Sequence, residues 1–146
     1  MPAEPRDPYL ANRFEIVLEI EGLKEASFSE CAGLVVETEV EERREGGVND
    51  YVHRLPKGTK LSTIVLKRGI TDSDRLWKWH HDTVVGNVKT ATNLSIVLLD
   101  SLGTERWRWN VTDAYPTKWT GPELKADGSA VAIETLELVH HGLTKG

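Results

Sequence analysis

Residues 94–113, LSIVLLDSLGTERWRWNVTD, contain the clearest pattern for the fold class. Residues 94–100 are apolar almost throughout, which predicts a strand buried on both faces. Residues 101–104 read Ser-Leu-Gly-Thr and predict a tight turn. Beyond the turn, Trp107, Trp109 and Val111 alternate with polar residues, so a second strand should follow with one apolar face and one polar face. Together they predict an antiparallel hairpin.

Similar patterns extend to both sides of this hairpin. Strands are predicted over residues 14–20, 27–30, 34–42, 61–67 and 131–140, and the sheet could continue through 115–119 past Pro116. One helix is predicted over 74–85, capped by Thr71, with an apolar stripe of Leu76, Trp77, His80 and Val84. Many short strands and one helix indicate a mainly β fold: two packed antiparallel sheets, as a β-sandwich or barrel, with one flanking α-helix.

The 146 residues suit one domain, which we place at 14–146. Residues 1–13 contain Pro2, Pro5 and Pro8 and should form an extended arm, disordered or docked on a neighbour. Residues 43–60 contain Gly46-Gly47, Asn49-Asp50, Leu55-Pro56 and Lys57-Gly58, which predict a long loop. Because Tyr51 and Leu55 give this loop apolar anchors, we expect it to pack against something, such as another subunit. Residues 142–146 should be a short tail.

Composition excludes several classes of function. The net charge of −5 argues against a nucleic-acid-binding protein, which usually presents a basic face. Cys31 is the only cysteine, so no internal disulfide can form, and its apolar neighbours favour a buried thiol. No run approaches the ~20 apolar residues that span a bilayer, and the N-terminus does not resemble a signal peptide. The sequence therefore predicts a protein made and kept in the cytoplasm, without a membrane anchor or cofactor.

The usual catalytic and metal-binding patterns are missing from the sequence. His80 and His81 would point about 100° apart on a helix, and His140 and His141 would face opposite sides of a strand. The acidic run Glu37, Glu39, Glu41 and Glu42 has the spacing of a polar strand face, which could lie on the outer surface or line a solvent-filled pore. We therefore expect no enzyme. A carbohydrate-binding module that uses Trp107, Trp109 or Trp119, and a histidine-dependent metalloprotein, remain alternatives.

Segments along nearly the whole chain resemble the tail-tube proteins of T4-type phages. The segments that carry the resemblance are Asp7-Pro8-Tyr9, residues 28–34 (FSECAGL), residues 45–51 (EGGVNDY) with Leu55-Pro56, residues 66–72 (LKRGITD), Leu76-Trp77, Lys118-Trp119, Gly121-Pro122 and residues 132–138 (AIETLEL). Their order along the chain is the same as in that family. One departure is Lys57, which stands between Pro56 and Gly58 where many relatives place the glycine directly after the proline.

The resemblance implies a structural inner-tube subunit with a fold like that of haemolysin-coregulated proteins. Such subunits form hexameric rings that stack into a hollow tube for cargo, inside a contractile sheath and between a baseplate with its spike and a tube cap. The particle can be a phage tail or an extracellular injection system, and a tube-initiating paralogue is a close alternative. Candidate contacts between subunits are Asp7, Pro8, Tyr9, Gly46, Gly47, Asn49, Tyr51, Arg54, Leu55 and Pro56; candidates for the lumen wall are Glu37, Glu39 and Glu41.

Overall fold

The computed structural model describes residues 8–18, 28–43, 53–86 and 91–146. In these residues the chain forms nine strands and one helix, in the order β1 (Phe14–Leu18), β2 (Glu30–Ala32), β3 (Val36–Arg43), β4 (His53–Leu61), β5 (Ile64–Gly69), α1 (Arg75–Val84), β6 (Thr92–Leu99), β7 (Glu105–Thr120), β8 (Ile133–Val139) and β9 (Gly142–Lys145). The predicted strands are confirmed, with shifts of a few residues at their ends.

Seven of the strands form one antiparallel sheet that divides into two layers along β7. The order is β1-β6-β7-β8-β5-β2, and β9 also pairs with β7. The first half of β7 pairs with β6 and β9, and its second half pairs with β8. Apolar side chains of both halves meet in one core with the helix, including Ile16 and Ile96 from one layer, Leu66 and Leu136 from the other, and Leu76 from α1. The prediction of two packed antiparallel sheets with one flanking helix is confirmed.

The hairpin predicted over residues 94–113 is formed by β6 and β7 with their connecting turn. The predicted antiparallel pairing is confirmed, and in it Ile96 lies opposite Trp109 and Leu94 opposite Val111. Asp100 organises the turn: its Oδ1 accepts hydrogen bonds from the backbone N–H of Leu102 and of Thr104, both at 2.9 Å. The Thr104 amide, followed by the Arg106 guanidinium, holds the pKa of Asp100 below its ordinary value. The turn is thus fixed by a charged side chain as well as by Gly103.

The bend in β7 lies at Asp113, where the strand passes from one layer to the other. Asp113 has a φ of 50°, a conformation that aspartate tolerates better than most residues. Its backbone N–H donates to Asn93 Oδ1 at 3.1 Å, which stabilises the bend. The strand then runs through Pro116, beside a register shift in its pairing with β8. Because proline lacks an N–H, a strand accommodates it where the pairing with its neighbour is irregular.

Two segments that were predicted to lack regular structure are strands. Half of the predicted loop 43–60 is β4, which pairs with β3 throughout, so the loop prediction is wrong for residues 53–60. The loop prediction failed because proline is unfavourable inside a strand. Here Pro56 lies beside a β-bulge, where its missing N–H is tolerated. The predicted tail 142–146 is likewise wrong for β9, which pairs with the first half of β7.

The helix is where it was predicted, but its cap and its buried face differ. Asp74 is the N-cap residue, and Thr71 Oγ1 instead accepts a hydrogen bond from the Ser73 backbone N–H at 3.2 Å. The buried side chains are Leu76 and Trp79. Trp77 and Val84, both assigned to the buried stripe, are exposed. Neighbouring helix positions are only 100° apart. An apolar stripe therefore does not determine which of two nearby tryptophans faces the core.

A buried ion pair lies between the helix and the second layer. Arg68 and Glu134 are almost completely buried, with Arg68 Nε 3.3 Å from Glu134 Oε2. Trp119 Nε1 donates to the other carboxylate oxygen at 3.1 Å. Arg68 Nη2 also donates to the carbonyl of Ser73 at 3.4 Å, just before the helix. This network ties the start of α1 to strands β5, β7 and β8.

Gly33 allows the chain to turn between β2 and β3. Its φ is +94°, and a Cβ placed there would lie 2.0 Å from the carbonyl oxygen of Thr63. Both the backbone conformation and the contact therefore require glycine.

We expect Gly33→Ala to lower the free energy of unfolding by more than the ~1–3 kcal/mol that a strained φ costs alone, because backbone atoms must also move. Gly103→Ala is the matched control, since Gly103 has a φ of +80° with open space around it. Urea unfolding followed by tryptophan fluorescence compares the two. Equal losses of unfolding free energy in both variants would show that the contact between a Cβ at residue 33 and the carbonyl oxygen of Thr63 adds no destabilisation.

Candidate assembly surfaces

Strands β3 and β4 form a two-stranded ribbon that stands apart from the rest of the chain. They constitute a separate sheet, and neither strand makes an extensive contact with any other described element. The described side chains of β3 are all exposed, as are those of β4 from Leu55 to Lys60. A two-stranded ribbon alone is marginally stable in water. The ribbon is therefore a candidate for a contact with another molecule.

The two faces of the ribbon differ in chemistry. Directly paired residues share a face, and the pairs Val36–Leu61, Thr38–Thr59 and Val40–Pro56 make one face largely apolar. On this face Val36 is 55% and Val40 52% exposed. The opposite face contains Glu37, Glu39 and Glu41, with Glu37 paired to Lys60, as the alternation in the sequence predicted. We call these the apolar face and the acidic face of the ribbon.

Some candidate contact residues of the predicted loop lie in the ribbon, and the others lie outside the described residues. Arg54, Leu55 and Pro56 belong to β4, where Pro56 is on the apolar face and Leu55 is opposite Glu41 on the acidic face. Gly46, Gly47, Asn49 and Tyr51 fall in residues 44–52, outside the described residues. The structure thus places Leu55 and Pro56 on different faces, although they are neighbours in sequence.

The described part of the N-terminal arm lies against its own chain. Pro8, Tyr9 and Leu10 border a small surface cavity together with the β6–β7 turn. The carbonyl of Arg13 accepts a hydrogen bond from the Leu99 backbone N–H at 2.8 Å, which extends the β1–β6 pairing. Residues 8–13 therefore contact their own chain, and docking of the arm on a neighbouring subunit stays a prediction. Asp7 lies outside the described residues.

An apolar groove opens between the two sheet layers at the edge formed by β1 and β2. We call it the mouth of the sandwich; it has a volume of about 290 Å³, and its lining includes Tyr9, Phe14, Cys31, Leu34, Leu98 and Trp109. Several of these side chains pack directly against the buried core. No residue of α1 lines it, so the helix does not close this end.

Cys31 lies in the wall of the mouth of the sandwich. Burial raises the pKa of its thiol to about 11, because removal from water disfavours the thiolate. A thiol that stays protonated at neutral pH is a poor nucleophile. This agrees with the prediction of a structural thiol rather than a catalytic one.

His140 and His141 lie in different surroundings and do not converge on a common site. His140 is buried, with Nδ1 3.1 Å from the carbonyl oxygen of Gly142, whereas His141 is exposed with Nδ1 3.6 Å from an oxygen of Asp113. Among the described residues no group of three or more histidine, cysteine or carboxylate side chains could hold a metal ion. The same residues include no helix that is long and apolar enough to cross a membrane.

The tryptophans that a carbohydrate-binding module would use mostly contact other side chains. Trp119 packs edge-on against Trp77, with ring centroids 5.0 Å apart, and also donates to Glu134. Lys145 Nζ lies 4.7 Å from the ring centroid of Trp107 and covers its face. Trp109 lines the mouth of the sandwich. The rings of Trp107 and Trp109 lie 6.2 Å apart but are tilted by 49°, and Trp119 packs elsewhere, so the three rings do not form one flat stacking platform.

Sequence reasoning missed the mouth of the sandwich and the apolar face as surfaces. Phe14, Cys31, Leu98 and Trp109 are far apart in sequence and meet only through the packing of the two layers. The alternation over 34–42 did contain a signal for the apolar face, since Val36, Thr38 and Val40 share one side. The pairing with β4, and the lack of a covering element among the residues that the structure describes, showed this face to be open.

Comparison with solved structures shows the same fold in tube assemblies. A chain in the sheath–tube complex of an extracellular contractile injection system, PVC, in its extended state has a TM-score of 0.80 and 22% identity, over 95% of this chain and 91% of that one. A chain in the tube-terminating cap of the anti-feeding prophage (AFP) has a TM-score of 0.86 and 22% identity, over 100% and 95%. Hcp1 from Flavobacterium johnsoniae has a TM-score of 0.55 and 12% identity, over 92% and 94%. The fold class predicted from the sequence is thereby confirmed.

Comparison by sequence gives the family. No curated protein sequence matches this chain significantly. The family described as T4-like virus tail tube protein gp19 matches residues 10–144, almost the full length. The resemblance seen in the sequence is confirmed, and so is the expectation of a structural protein rather than an enzyme. The chain belongs to the T4-like virus tail tube protein family.

Proposed function

We propose that this chain is the inner-tube subunit of a contractile injection apparatus. Six copies would form a ring, and rings would stack into a hollow conduit through which cargo passes when a surrounding sheath contracts. Membership of the tail tube family supports this role, as does the fold shared with a chain of a sheath–tube complex. The observation that carries the proposal is the exposed apolar face of the β3–β4 ribbon, which no other described element contacts extensively.

The ribbon explains why the subunit should assemble. Val36 and Val40 stand in water in the isolated chain, and covering apolar side chains contributes roughly 25 cal/mol per Å². In a tube, every subunit would have a neighbouring subunit that can cover this apolar face. The ribbon, the connection at 44–52 and Tyr9 are therefore our candidates for contacts between subunits.

Sheet edges supply a second reason for assembly. Within the described residues, β1 pairs only with β6, β9 only with β7, and β2 only with β5. Open edges invite uncontrolled pairing unless they are covered. In a ring, the edge of one subunit can pair with the edge of the next, which gives a continuous barrel around the lumen.

The acidic face of the ribbon is our candidate for a surface that stays in water. If the apolar face is covered by a neighbour, Glu37, Glu39 and Glu41 remain on the uncovered side. We propose that these carboxylates line the lumen. A row of like charges there would make the conduit negative and would repel acidic surfaces of passing cargo.

Other components of the particle are partners under this proposal. The tube would contact a sheath along its length, a baseplate with its spike at one end and a cap at the other. Assembly in the cytoplasm would precede incorporation into a phage tail or a released, phage-tail-like particle. The fold shared with a chain of a tube-terminating cap structure keeps a terminal or tube-initiating subunit as the second candidate.

Sedimentation velocity of the purified chain tests the proposal. We expect a hexamer of about 98 kDa, six times the 16.3 kDa of one chain, together with faster-sedimenting stacks at higher concentration. Rings without stacks would favour the tube-initiating alternative. A single 16.3 kDa species at all concentrations and salt conditions would overturn the proposal.

A further inference from the structure

We propose that His140 is an acid-sensitive latch that holds strand β9 against β7. The imidazole is neutral while β9 is in place, and uptake of a proton by His140 favours release of β9. The latch lies within a single subunit. It therefore goes beyond the proposed tube and does not depend on it.

The position of His140 along the chain places its side chain in the interior. Side chains of β8 alternate between half-buried and buried, and the buried row contains Glu134, Leu136 and Leu138. His140 follows β8 directly, continues this row and is only 7% exposed. At this junction the chain leaves β8 in one layer and continues as β9 in the other. A change in His140 therefore acts where the two layers are joined.

The hydrogen bonding of His140 defines its neutral form. Nδ1 lies 3.1 Å from the carbonyl oxygen of Gly142, the first residue of β9. Because a carbonyl oxygen only accepts, Nδ1 carries the hydrogen, and Nε2 of the neutral ring has a bare lone pair. Among the described residues, Nε2 is the one buried side-chain nitrogen or oxygen without a hydrogen-bond partner. The ring is thus bound to β9 through one nitrogen and unpartnered at the other.

Protonation changes the balance at this unpartnered nitrogen. In the imidazolium ion both ring nitrogens are donors, and the ring carries a positive charge. The new N–H at Nε2 meets no acceptor among the described residues. A buried charge without a hydrogen-bonded partner is very unfavourable, whereas water solvates the same charge well. Uptake of a proton therefore favours a state in which His140 reaches water.

The buried charges of the described residues leave His140 without a counter-charge. Apart from His140, the buried charged side chains in this part of the chain are Arg68 and Glu134, which pair with each other. Glu134 lies six residues before His140 on the same strand, roughly 20 Å away at ~3.3 Å per residue. Its carboxylate therefore cannot compensate a charge on His140.

The ionisable groups of the neighbouring elements do not compensate it either. On β7, Asp113 is exposed and lies 3.6 Å from the exposed His141, and Tyr115 is on the other face of the β7–β8 pair from the buried row. On β9, Lys145 is exposed and positive. On α1, the half-buried His80 can add only positive charge. Proton uptake by the latch is therefore opposed as long as β9 stays in place.

β9 can separate without loss of the main core. Within the described residues it is a strand of four residues that pairs with β7 alone, and only Leu143 packs against the core cluster. Its start is held by the contact of Gly142 with the His140 ring and by the His141 backbone N–H, which donates to the carbonyl of Thr112 at 2.9 Å. Release of β9 breaks the contact with Gly142 and opens the junction to water.

Hydrogen exchange of the dissociated subunit, measured by mass spectrometry, tests the latch. The measured quantity is the protection of the backbone amides of residues 141–146, corrected for the intrinsic dependence of exchange on pH. A histidine in water takes up its proton near pH ~6.5, so opening binds one proton below that pH. Linkage then predicts that protection falls about tenfold between pH 7.5 and pH 5.5. Amides of β6 should keep their protection, because the main sheet stays folded.

Two variants identify the group that takes up the proton. In His140→Asn the side-chain amide can still donate to the Gly142 carbonyl but cannot titrate, so the protection of residues 141–146 should no longer depend on pH. His141→Asn is the matched control. It removes the exposed neighbouring histidine and its pair with Asp113, and the loss of protection in acid should remain.

The outcomes decide the proposal without reference to tube formation, because every measurement is made on the dissociated subunit. A loss of protection in acid that occurs in wild type and in His141→Asn, but not in His140→Asn, supports the latch. Unchanged protection in the wild type, an equal loss in His140→Asn, or a simultaneous loss in β6 would overturn it.

A second measurement on the wild type keeps the test decisive if His140→Asn does not fold. The ring protons of His140 are followed by NMR over the same pH range, together with the amides of β9. We expect protonation of the ring and loss of β9 protection to occur together. A ring that becomes protonated while β9 stays protected would contradict the latch.

Discussion

Replacing Arg68 with methionine is expected to lower the free energy of unfolding by about 3–5 kcal/mol. Arg68 and Glu134 are each less than 5% exposed, and the guanidinium Nε lies 3.3 Å from the carboxylate. Methionine fills similar space but leaves the Glu134 carboxylate buried without its cation. Trp119 Nε1 would remain as its neutral donor. Urea unfolding of the dissociated subunit, followed by tryptophan fluorescence, measures the loss.

Two comparisons show whether burial is the cause. Lys78→Met removes the cation of an exposed pair with Asp74, and such pairs contribute about 0–1 kcal/mol. The double variant Arg68→Met/Glu134→Leu removes both charges, so its loss should be smaller than the sum of the two single losses. If Arg68→Met costs no more than Lys78→Met, the buried network does not hold the helix against the second layer.

Placing aspartates on the apolar face of the ribbon is expected to abolish tube formation while the subunit still folds. Val36→Asp/Val40→Asp introduces two charges on a face that must be removed from water when subunits stack, and a buried, unpaired charge is very unfavourable. In the free subunit both positions are more than half exposed, so the fold loses little. Sedimentation measures assembly, and far-UV circular dichroism with urea unfolding measures the fold.

The matched control changes two charges on the other face of the same strand. Glu37→Gln/Glu39→Gln alters residues between the valines in sequence but leaves the apolar face intact. We expect it to assemble, with a change in how assembly depends on salt. Tubes of normal length from Val36→Asp/Val40→Asp would show that the apolar face is not a stacking surface.

The fold was predictable from the sequence where the residues of a single strand indicate how many of its faces are buried. Leu94 to Val111 needed no partner information, because a fully apolar run and a strict alternation each indicate how many faces are covered. Strand β4 was not predictable in the same way. Residues 53–61 contain Pro56 and Gly58, and both residue types are unfavourable in strands. They form a strand because β3 pairs with them along a ladder of backbone hydrogen bonds that has only one bulge.

The assembly surfaces were predictable in part for a related reason. The acidic and apolar faces of β3 are local patterns, and the alternation of Glu37, Glu39 and Glu41 placed them correctly on one side. Leu55 and Pro56 were grouped as neighbours, yet the strand sends them to opposite faces. The mouth of the sandwich combines Phe14, Cys31 and Trp109, whose proximity depends on the packing of distant strands. No local pattern contains that information.

Electron microscopy of the purified wild-type chain shows whether this protein forms a tube by itself. The exposed apolar ribbon and the open sheet edges of this chain are the surfaces that we expect to build a hollow tube. We expect end views of rings with six-fold symmetry and an empty centre, and side views of stacked rings. Monodisperse, ringless particles of single-subunit size, from folded protein at high concentration, would contradict it.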